Sequence, residues 1–124
     1  MKKLIKSKER VKKHAEVYTP PNLVNEMLDR LPQEMWQPDK NFLDPACGNG
    51  NMLVEVVRRK INNKSCPTQA LATTYGIDIM EDNVIECRER LLEFTDRSPE
   101  AYYWVNNNIK CANSLECDWE ELFK

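Results

Sequence analysis

The chain has 124 residues, enough for one domain with a modest hydrophobic core. Hydrophobic residues make up 41% of it and charged residues 31%, a balance typical of a globular protein and not of a disordered one. No apolar stretch reaches the length of a transmembrane helix, and the basic N-terminus lacks the apolar segment of a secretory signal.

The first helix is predicted to begin at Thr19-Pro20, where a hydroxyl group would cap it and a proline would occupy its first turn. Pro32 ends it. Between them, apolar side chains recur at helical spacing: Leu23, Val24, Met27, Leu28 and Leu31.

A polar loop over residues 33–40 leads to a short first strand over residues 41–44. The second helix begins after two glycines and ends at Asn62-Asn63. Its buried face is predicted to consist of Met52, Leu53, Val56, Val57 and Ile61.

Residues 64–69 are predicted to form a loop and residues 70–79 the second strand, because small and apolar side chains alternate there. The third helix contains Val84, Ile85, Leu91 and Leu92, with Asp82 as its predicted cap.

Residues 96–99 are predicted to end this helix. The aromatic-rich residues 100–105 leave helix and strand open, and the asparagines at 106–108 indicate a turn. A short third strand follows over residues 109–111, and the tail, residues 115–124, is acidic.

Cysteine and histidine usage indicates a reduced protein. The five cysteines are an odd number without a Cys-x-x-Cys pair, and His14 is the only histidine. Since zinc needs closely spaced soft ligands, the sequence offers no zinc site. We therefore predict a cytoplasmic protein without a metal.

Charge is distributed unevenly along the chain. Residues 1–13 contain seven basic side chains and one acidic one, a net charge of +6, so the remaining residues carry −8. We divide the chain into this basic arm, residues 1–13, and a domain, residues 14–124. The arm is either a solvated terminus or a segment that contacts nucleic-acid phosphates.

The three glycines of the chain mark a candidate cofactor site. Gly48 and Gly50 lie between the first strand and the second helix, and Gly76 precedes Asp78 at the end of the second strand. This order of elements is typical of α/β domains that bind nucleotide cofactors. Bare backbone can approach the ligand, and a carboxylate can accept hydrogen bonds from two ribose hydroxyls.

The glycine turn differs from two common phosphate-binding turns. Leu53 replaces the third glycine of the dinucleotide fingerprint, and the turn has no lysine, so it is not a P-loop. We predict a ligand with adenosine at one end and a zwitterion at the other. Asp44 would face its ammonium group, and amides at the helix N-terminus would face its carboxylate.

Four segments, in this order, resemble the cofactor-binding half of the adenine-N6 DNA methyltransferases of bacterial restriction-modification systems. The resemblance covers residues 14–115. It implies the α/β, Rossmann-like fold of class I methyltransferases, here a half-domain with about three parallel strands and helices mainly on one face. It also implies S-adenosylmethionine (AdoMet) as the cofactor. The segments are residues 18–20 (YTP), 42–53 (FLDPACGNGNML), 75–79 (YGIDI) and 111–115 (CANSL).

The resemblance implies a role for each matching position. Thr19 would help hold the methionine carboxylate and Asp44 the ammonium group. Asp78 would accept from the ribose hydroxyls, and Ile79 would pack on the adenine ring. Asn113 would accept from the adenine amino group, although aspartate is commoner there in the family. The implied cofactor-binding residues are Tyr18, Thr19, Asp44, Pro45, Ala46, Gly48, Gly50, Asp78, Ile79, Asn113 and Ser114.

Seven of these residues also have a purely structural interpretation. Thr19 and Asp78 could each cap the helix that follows, and Ile79 could be a core residue. Ordinary turn residues could account for Asp44, Gly48, Gly50 and Asn113.

The catalytic motif of this family is absent from the sequence. That motif, Asn/Asp-Pro-Pro-Tyr/Phe, holds the target adenine once it is flipped out of the duplex. The chain's only Pro-Pro pair, Pro20-Pro21, is preceded by Thr19. The resemblance therefore covers about half of the family's catalytic domain and assigns no catalytic residue.

Two functions are compatible with this sequence. The first is the AdoMet-binding part of a DNA adenine-N6 methyltransferase, which needs a partner chain for catalysis and is not active alone. The alternative is a non-catalytic AdoMet-binding module that sequesters the cofactor or caps and regulates a methyltransferase.

The predicted sheet also favours association. A three-stranded sheet leaves the Phe42-Leu43 strand at its edge and one face uncovered, which favours a homo-oligomer or a partner protein, unless the acidic tail folds back over the gap. DNA would be contacted by the basic arm or by the partner, and no membrane contact is expected.

Overall fold

The computed structural model describes residues 19–124. One sheet of three short parallel strands forms the centre, in the order β1-β2-β3. The strands are Phe42–Asp44 (β1), Thr74–Asp78 (β2) and Ile109–Cys111 (β3). Leu43 lies beside Tyr75, and Ile77 lies beside Lys110. The predicted α/β fold with three parallel strands is confirmed, and the basic arm lies outside the described residues.

Six α-helices lie within residues 19–124, each too short or too polar to span a bilayer. Helix α1 differs from the prediction at its start: Pro20 is the N-cap, and no side chain makes a capping bond there. The prediction that Thr19 caps this helix is therefore wrong. The helices are Pro21–Leu28 (α1), Asn51–Asn62 (α2), Pro67–Ala72 (α3), Glu81–Leu92 (α4), Pro99–Asn108 (α5) and Trp119–Leu122 (α6), with a 3₁₀ helix over Gln33–Trp36.

The second strand is shorter than predicted, because residues 67–72 form helix α3. Pro67 occupies the first turn, where its missing N–H is not needed. Ala70 and Leu71 are buried in the core. The Thr74 hydroxyl donates to the carbonyl oxygen of Ala70 at 2.8 Å and so satisfies an acceptor at the helix end.

The aromatic-rich stretch is helical, and the predicted turn at residues 106–108 is wrong, because all of it belongs to α5. The Ser98 hydroxyl accepts from the Ala101 N–H at 3.2 Å, which caps the helix. At the other end, Nδ2 of Asn108 donates to the carbonyl oxygens of Leu71 and Ala72 at 3.0 and 3.2 Å. These bonds tie the end of α5 to the end of α3.

The two faces of the sheet are covered differently. A Cβ atom on Gly76 would lie 2.6 Å from Cδ1 of Leu53, so α2 lies directly against the bare backbone of β2. Tyr75 points to the opposite face, since side chains alternate along a strand. There the ring of Phe123 packs edge-on against Tyr75, with centroids 5.1 Å apart. The acidic tail thus covers part of the face away from α2.

Lys60 is a fully buried cation inside this fold. Its Nζ donates to the carbonyl oxygen of Lys40 at 2.7 Å, to that of Thr73 at 3.0 Å and to the Thr73 hydroxyl at 2.6 Å. These bonds connect α2 to the segments that precede β1 and β2. Burial lowers the pKa of Lys60 to about 8, because the charged form is poorly solvated there.

We expect Lys60→Met to destabilise the fold at pH 7 by about 3 kcal/mol, because buried acceptors lose a charged donor. The folded-state pKa lies below that of the unfolded chain. Between about pH 8 and pH 10.4 the unfolded chain therefore binds more protons, and wild-type stability rises with pH. Urea unfolding of both proteins at neutral and alkaline pH measures this, with the exposed Lys124→Met as control. If the loss of unfolding free energy caused by Lys60→Met does not grow with pH, the pKa of Lys60 is not lowered in the folded chain.

Candidate cofactor-binding site

The turn between β1 and α2 has a backbone conformation that favours glycine at two positions. Gly48 has a φ of 55° and Gly50 a φ of 96°, both in the left-handed region. A Cβ atom on Gly50 would also lie 2.8 Å from Sγ of Cys87 on α4. The N–H of Cys47 donates to the carbonyl oxygen of Ile77 at 2.9 Å, which fixes the turn against β2.

Asp78, at the end of β2, joins this turn to α4. Its Oδ1 accepts from the Gly48 N–H at 3.1 Å, and its Oδ2 accepts from the Met80 N–H at 3.1 Å and from Nδ2 of Asn83 at 3.0 Å. The prediction that Asp82 caps α4 is wrong, because Met80 is the N-cap residue and Asp78 satisfies its N–H. An ionised carboxylate has about four acceptor positions, so one remains for a ligand hydroxyl.

A cleft of about 50 Å³ opens beside the turn. It brings together four predicted site residues, Thr19, Asp44, Ala46 and Gly48. Helix α2 begins at this cleft, and the first N–H groups of any helix have no acceptor within it. The cleft therefore combines an acidic side chain with backbone donors. The other lining residues are Cys47, Asn49, Asn51 and Met52.

Asp44 supplies the negative charge of the cleft. Burial raises its pKa, a hydrogen bond from the Ala46 N–H at 3.1 Å opposes this, and the nearby carboxylate of Asp78 adds to it. A carboxylate that is poorly solvated gains free energy from a cationic neighbour. Asp44 is therefore suited to face an ammonium group.

Asn49 provides a buried acceptor beside the cleft. Its side chain is 5% exposed, and Nδ2 donates to Oε2 of Glu86 at 3.0 Å. Its Oδ1 has no hydrogen-bond partner within the part of the chain that the structure describes. Buried polar atoms normally have a partner, so an orphaned acceptor is a feature expected where a ligand completes a site.

Asn51 and Arg90 are site residues that the sequence reasoning missed. Nδ2 of Asn51 donates to the backbone carbonyl of Thr19 at 2.8 Å, and its Oδ1 accepts from Nη1 of Arg90 at 2.8 Å. The same nitrogen of Arg90 donates to the carbonyl oxygen of Asn49 at 3.0 Å. Thr19 is thus anchored by its backbone. No local pattern indicates this link, since Asn51 and Arg90 are 39 residues apart.

The cysteine of the turn is not a nucleophile. A hydrogen bond with the Cys87 thiol and burial both raise the pKa of Cys47, so it stays protonated. Within residues 19–124, no three His, Cys, Asp or Glu side chains are arranged to hold a metal ion.

The residues predicted to hold adenosine lie at the carboxyl ends of β2 and β3. The Ala112 N–H donates to the backbone carbonyl of Asp78 at 3.0 Å, which holds the segment after β3 against the end of β2. The Ile79 side chain is 44% exposed and offers an apolar surface to a flat ring. In open α/β sheets, ligands bind outside the carboxyl ends of the strands.

Asn113 and Ser114 form the turn after β3. Oδ1 of Asn113 accepts from the Leu115 N–H at 3.0 Å, so this amide oxygen already serves the turn. The Ser114 carbonyl accepts from Nε1 of Trp119 at 2.9 Å. Pro45 is exposed at the start of the glycine turn, and Tyr18 lies outside the described residues.

The chain is similar to known proteins over part of its length. The model of the N-6 DNA methylase family matches residues 4–92. The chain is similar to the Type II methyltransferase M.VspI of Vibrio sp. (strain 343), with 37% identity over 76 residues. That match covers 61% of this chain and 16% of the relative, so it spans about a sixth of the relative's length. No solved structure matches the chain. Because the family model matches more than half of its residues, the chain belongs to the N-6 DNA methylase family.

Proposed function

We propose that this chain is the AdoMet-binding part of a DNA adenine-N6 methyltransferase and that catalysis requires a partner chain. One observation supports this most strongly: the turn of Gly48 and Gly50 is bonded to Asp78 and opens beside Asp44. Together they provide backbone donors for an anion, a carboxylate for a cation and an acceptor for a hydroxyl. AdoMet carries all three groups, and the family to which the chain belongs implies its use.

Each end of the cofactor has a matching group in this chain. Asp44 would hold the ammonium group, with Oδ1 of Asn49 as a further acceptor, and the first amides of α2 would hold the carboxylate. Asp78 would accept from a ribose hydroxyl, and Ile79 would contact the adenine ring. When bound, AdoMet would supply the methyl group, and these residues would only bind and orient it.

Calorimetric titration with AdoMet tests this proposal and the role of Asp44. We expect saturable binding by the wild type and, near neutral pH, about tenfold weaker binding by Asp44→Asn, because a charge-assisted contact is lost. Burial raises the pKa of Asp44, so it takes up a proton at higher pH than an ordinary aspartate. Wild-type affinity should therefore fall as the pH drops through this raised value, whereas the affinity of Asp44→Asn should not.

Asp39→Asn is the matched control, because Asp39 is an exposed aspartate in the loop before β1. It should bind AdoMet like the wild type at every pH. Equal affinities of Asp44→Asn and the wild type would remove Asp44 from the site, and no AdoMet binding by the wild type would overturn the proposal as a whole.

The partner is proposed to pair along β1. This strand is one of the two edge strands of the sheet, so one row of its backbone groups is unpaired within the described chain. The packing of Phe123 against Tyr75 favours the alternative, a self-contained binding module. Through this contact the tail covers part of the sheet face that a partner would otherwise cover.

Light scattering after size-exclusion chromatography tests whether the partner is a second copy of this chain. Self-association predicts a mass above the 14.6 kDa of one chain, rising with concentration. Leu43→Lys should lower it, because a charge on β1 opposes edge pairing, while Leu31→Lys on an exposed part of the chain should not. A monomer at every concentration, with AdoMet bound, would exclude a second copy of the chain as the partner.

A further inference from the structure

One nitrogen atom of Arg90 bonds to both residues that flank Gly50. Nη1 of Arg90 donates to the backbone carbonyl of Asn49 at 3.0 Å and to Oδ1 of Asn51 at 2.8 Å. Arg90 is 41 and 39 residues away from them along the chain, so only the packing of α4 against α2 brings these groups together. Since Gly50 has a φ of 96°, the two bonds stabilise a left-handed turn that few other residues adopt.

Arg90 also fixes the orientation of the Asn51 amide. A guanidinium only donates hydrogen bonds, so the atom of Asn51 that faces it is the oxygen, Oδ1. Nδ2 of Asn51 is thereby directed to the backbone carbonyl of Thr19, to which it donates at 2.8 Å. A flipped amide would present its oxygen to that carbonyl, and the two acceptors would repel each other. The position of Thr19 in the cleft therefore depends on Arg90, which does not itself line the cleft.

The start of helix α2 lies at these bonds. Its N-cap residue is Gly50, which has no side chain to make a capping bond. A cation near the N-terminus of a helix is unfavourable with the helix dipole, and burial lowers the pKa of Arg90. Both effects oppose a guanidinium at this place in the free chain. An anion bound by the first amides of α2 would offset them, as the proposed binding of the AdoMet carboxylate does.

We propose that Arg90 is a positioning residue of the cofactor site. It holds the turn at Gly50 in its binding conformation and, through Asn51, holds the Thr19 segment at the cleft. Arg90 does not touch the cofactor, and AdoMet affinity depends on it because both sides of the cleft are bonded to one guanidinium. The inference rests on the proposed function for the identity of the ligand, whereas the bonds of Arg90 can be tested in the free chain.

The amide signal of Gly50 reports one of these bonds without any ligand. The Gly50 nitrogen belongs to the same peptide group as the Asn49 carbonyl, so a hydrogen bond to that oxygen polarises both. Labelling with ¹⁵N-glycine and ¹³C-carbonyl asparagine selects this peptide, since no other asparagine precedes a glycine. In Arg90→Met, both the ¹⁵N signal of Gly50 and the carbonyl signal of Asn49 should shift.

Arg88→Met is the matched control. Arg88 lies on the same helix, and its Nε donates to the backbone carbonyl of Ile109 at 3.0 Å, away from the glycine turn. This variant should leave the Gly50 signal in place. Circular dichroism checks folding, and Arg90→Lys replaces Arg90→Met in both tests if the latter unfolds. A Gly50 signal that moves no more in the Arg90 variant than in Arg88→Met would overturn the proposal.

Calorimetric titration with AdoMet measures the consequence for the cofactor. Arg90→Met should weaken binding about tenfold, and Arg90→Lys, which keeps a charged donor, should recover part of the loss. Asn51→Ala should also weaken binding about tenfold, and the double variant Arg90→Met, Asn51→Ala by clearly less than the product of the two losses, because Arg90 acts partly through Asn51.

Two results of the titration would contradict the role of Arg90. A folded Arg90→Met that binds AdoMet like the wild type would show that Arg90 does not position the site. Losses that multiply in the double variant would rule out the route through Asn51. If the wild type itself does not bind AdoMet, the proposed function fails, and the Gly50 signal alone decides whether Arg90 holds the turn.

Discussion

Asp78→Ala should destabilise the folded chain by about 4 kcal/mol and abolish AdoMet binding. The carboxylate accepts from Gly48, Met80 and Asn83, and each hydrogen bond to a charged group contributes about 1.5–3 kcal/mol. Asp78 is 8% exposed, so water cannot fully replace the lost acceptor. The glycine turn would also lose its connection to α4, and any bound ribose would lose its acceptor.

Urea unfolding and calorimetry with AdoMet measure the two effects of Asp78→Ala separately. The matched control is Asp118→Ala, because Oδ1 of Asp118 also accepts from two backbone N–H groups, those of Glu120 and Glu121, but at an exposed helix cap. Asp118→Ala should lower the free energy of unfolding by about 1 kcal/mol and leave AdoMet binding unchanged. If Asp78→Ala is no less stable than Asp118→Ala, Asp78 is not the anchor of the turn.

Gly50→Ala should destabilise the chain by about 3 kcal/mol. An alanine in the left-handed conformation costs about 1–2 kcal/mol. Its methyl group would also lie 2.8 Å from Sγ of Cys87, and inserting a methyl group into a close-packed core costs about 1–3 kcal/mol. AdoMet affinity should fall as well, because relief of the contact moves the turn or α4.

A double-mutant cycle with Cys87→Ala separates the two causes. If the contact with Sγ is real, Gly50→Ala with Cys87→Ala should be less destabilised than the sum of the single variants, since removing the sulfur makes room for the methyl group. The backbone part of the cost should remain. Additive free energies of unfolding would show that Cys87 does not limit position 50.

The sequence predicted the elements whose signals are local. Gly48 and Gly50 placed β1 and α2, and the spacing of apolar residues placed α1. Residues 67–72 were predicted wrongly because a short helix and a strand can both show alternating small and apolar residues, and burial against α2 and α5 decided for the helix. The pair Ser98-Pro99 is a typical start signal for helix α5. The helix was not predicted because the aromatic residues leave helix and strand open and the asparagines at 106–108 indicate a turn.

The site residues that belong to local sequence motifs could be predicted. Thr19, Asp44 and Gly48 follow from motifs, and the structure brings them to one cleft. For Asp78 the sequence predicts two alternative roles, binding the cofactor and capping α4, and the structure contains the capping bonds with one acceptor position left over. The Asn51–Arg90 link could not be predicted, because it depends on how α2 packs on α4.

AdoMet binding at the glycine turn can be tested directly, because the chain has three glycines. Labelling with ¹⁵N-glycine gives one amide signal each for Gly48, Gly50 and Gly76. The preceding residues are a cysteine, an asparagine and a tyrosine, so ¹³C-carbonyl labelling of these types assigns each signal. Titration with AdoMet should shift the signals of Gly48 and Gly50 saturably and that of Gly76 less. Signals of Gly48 and Gly50 that stay in place at millimolar AdoMet would contradict the claim.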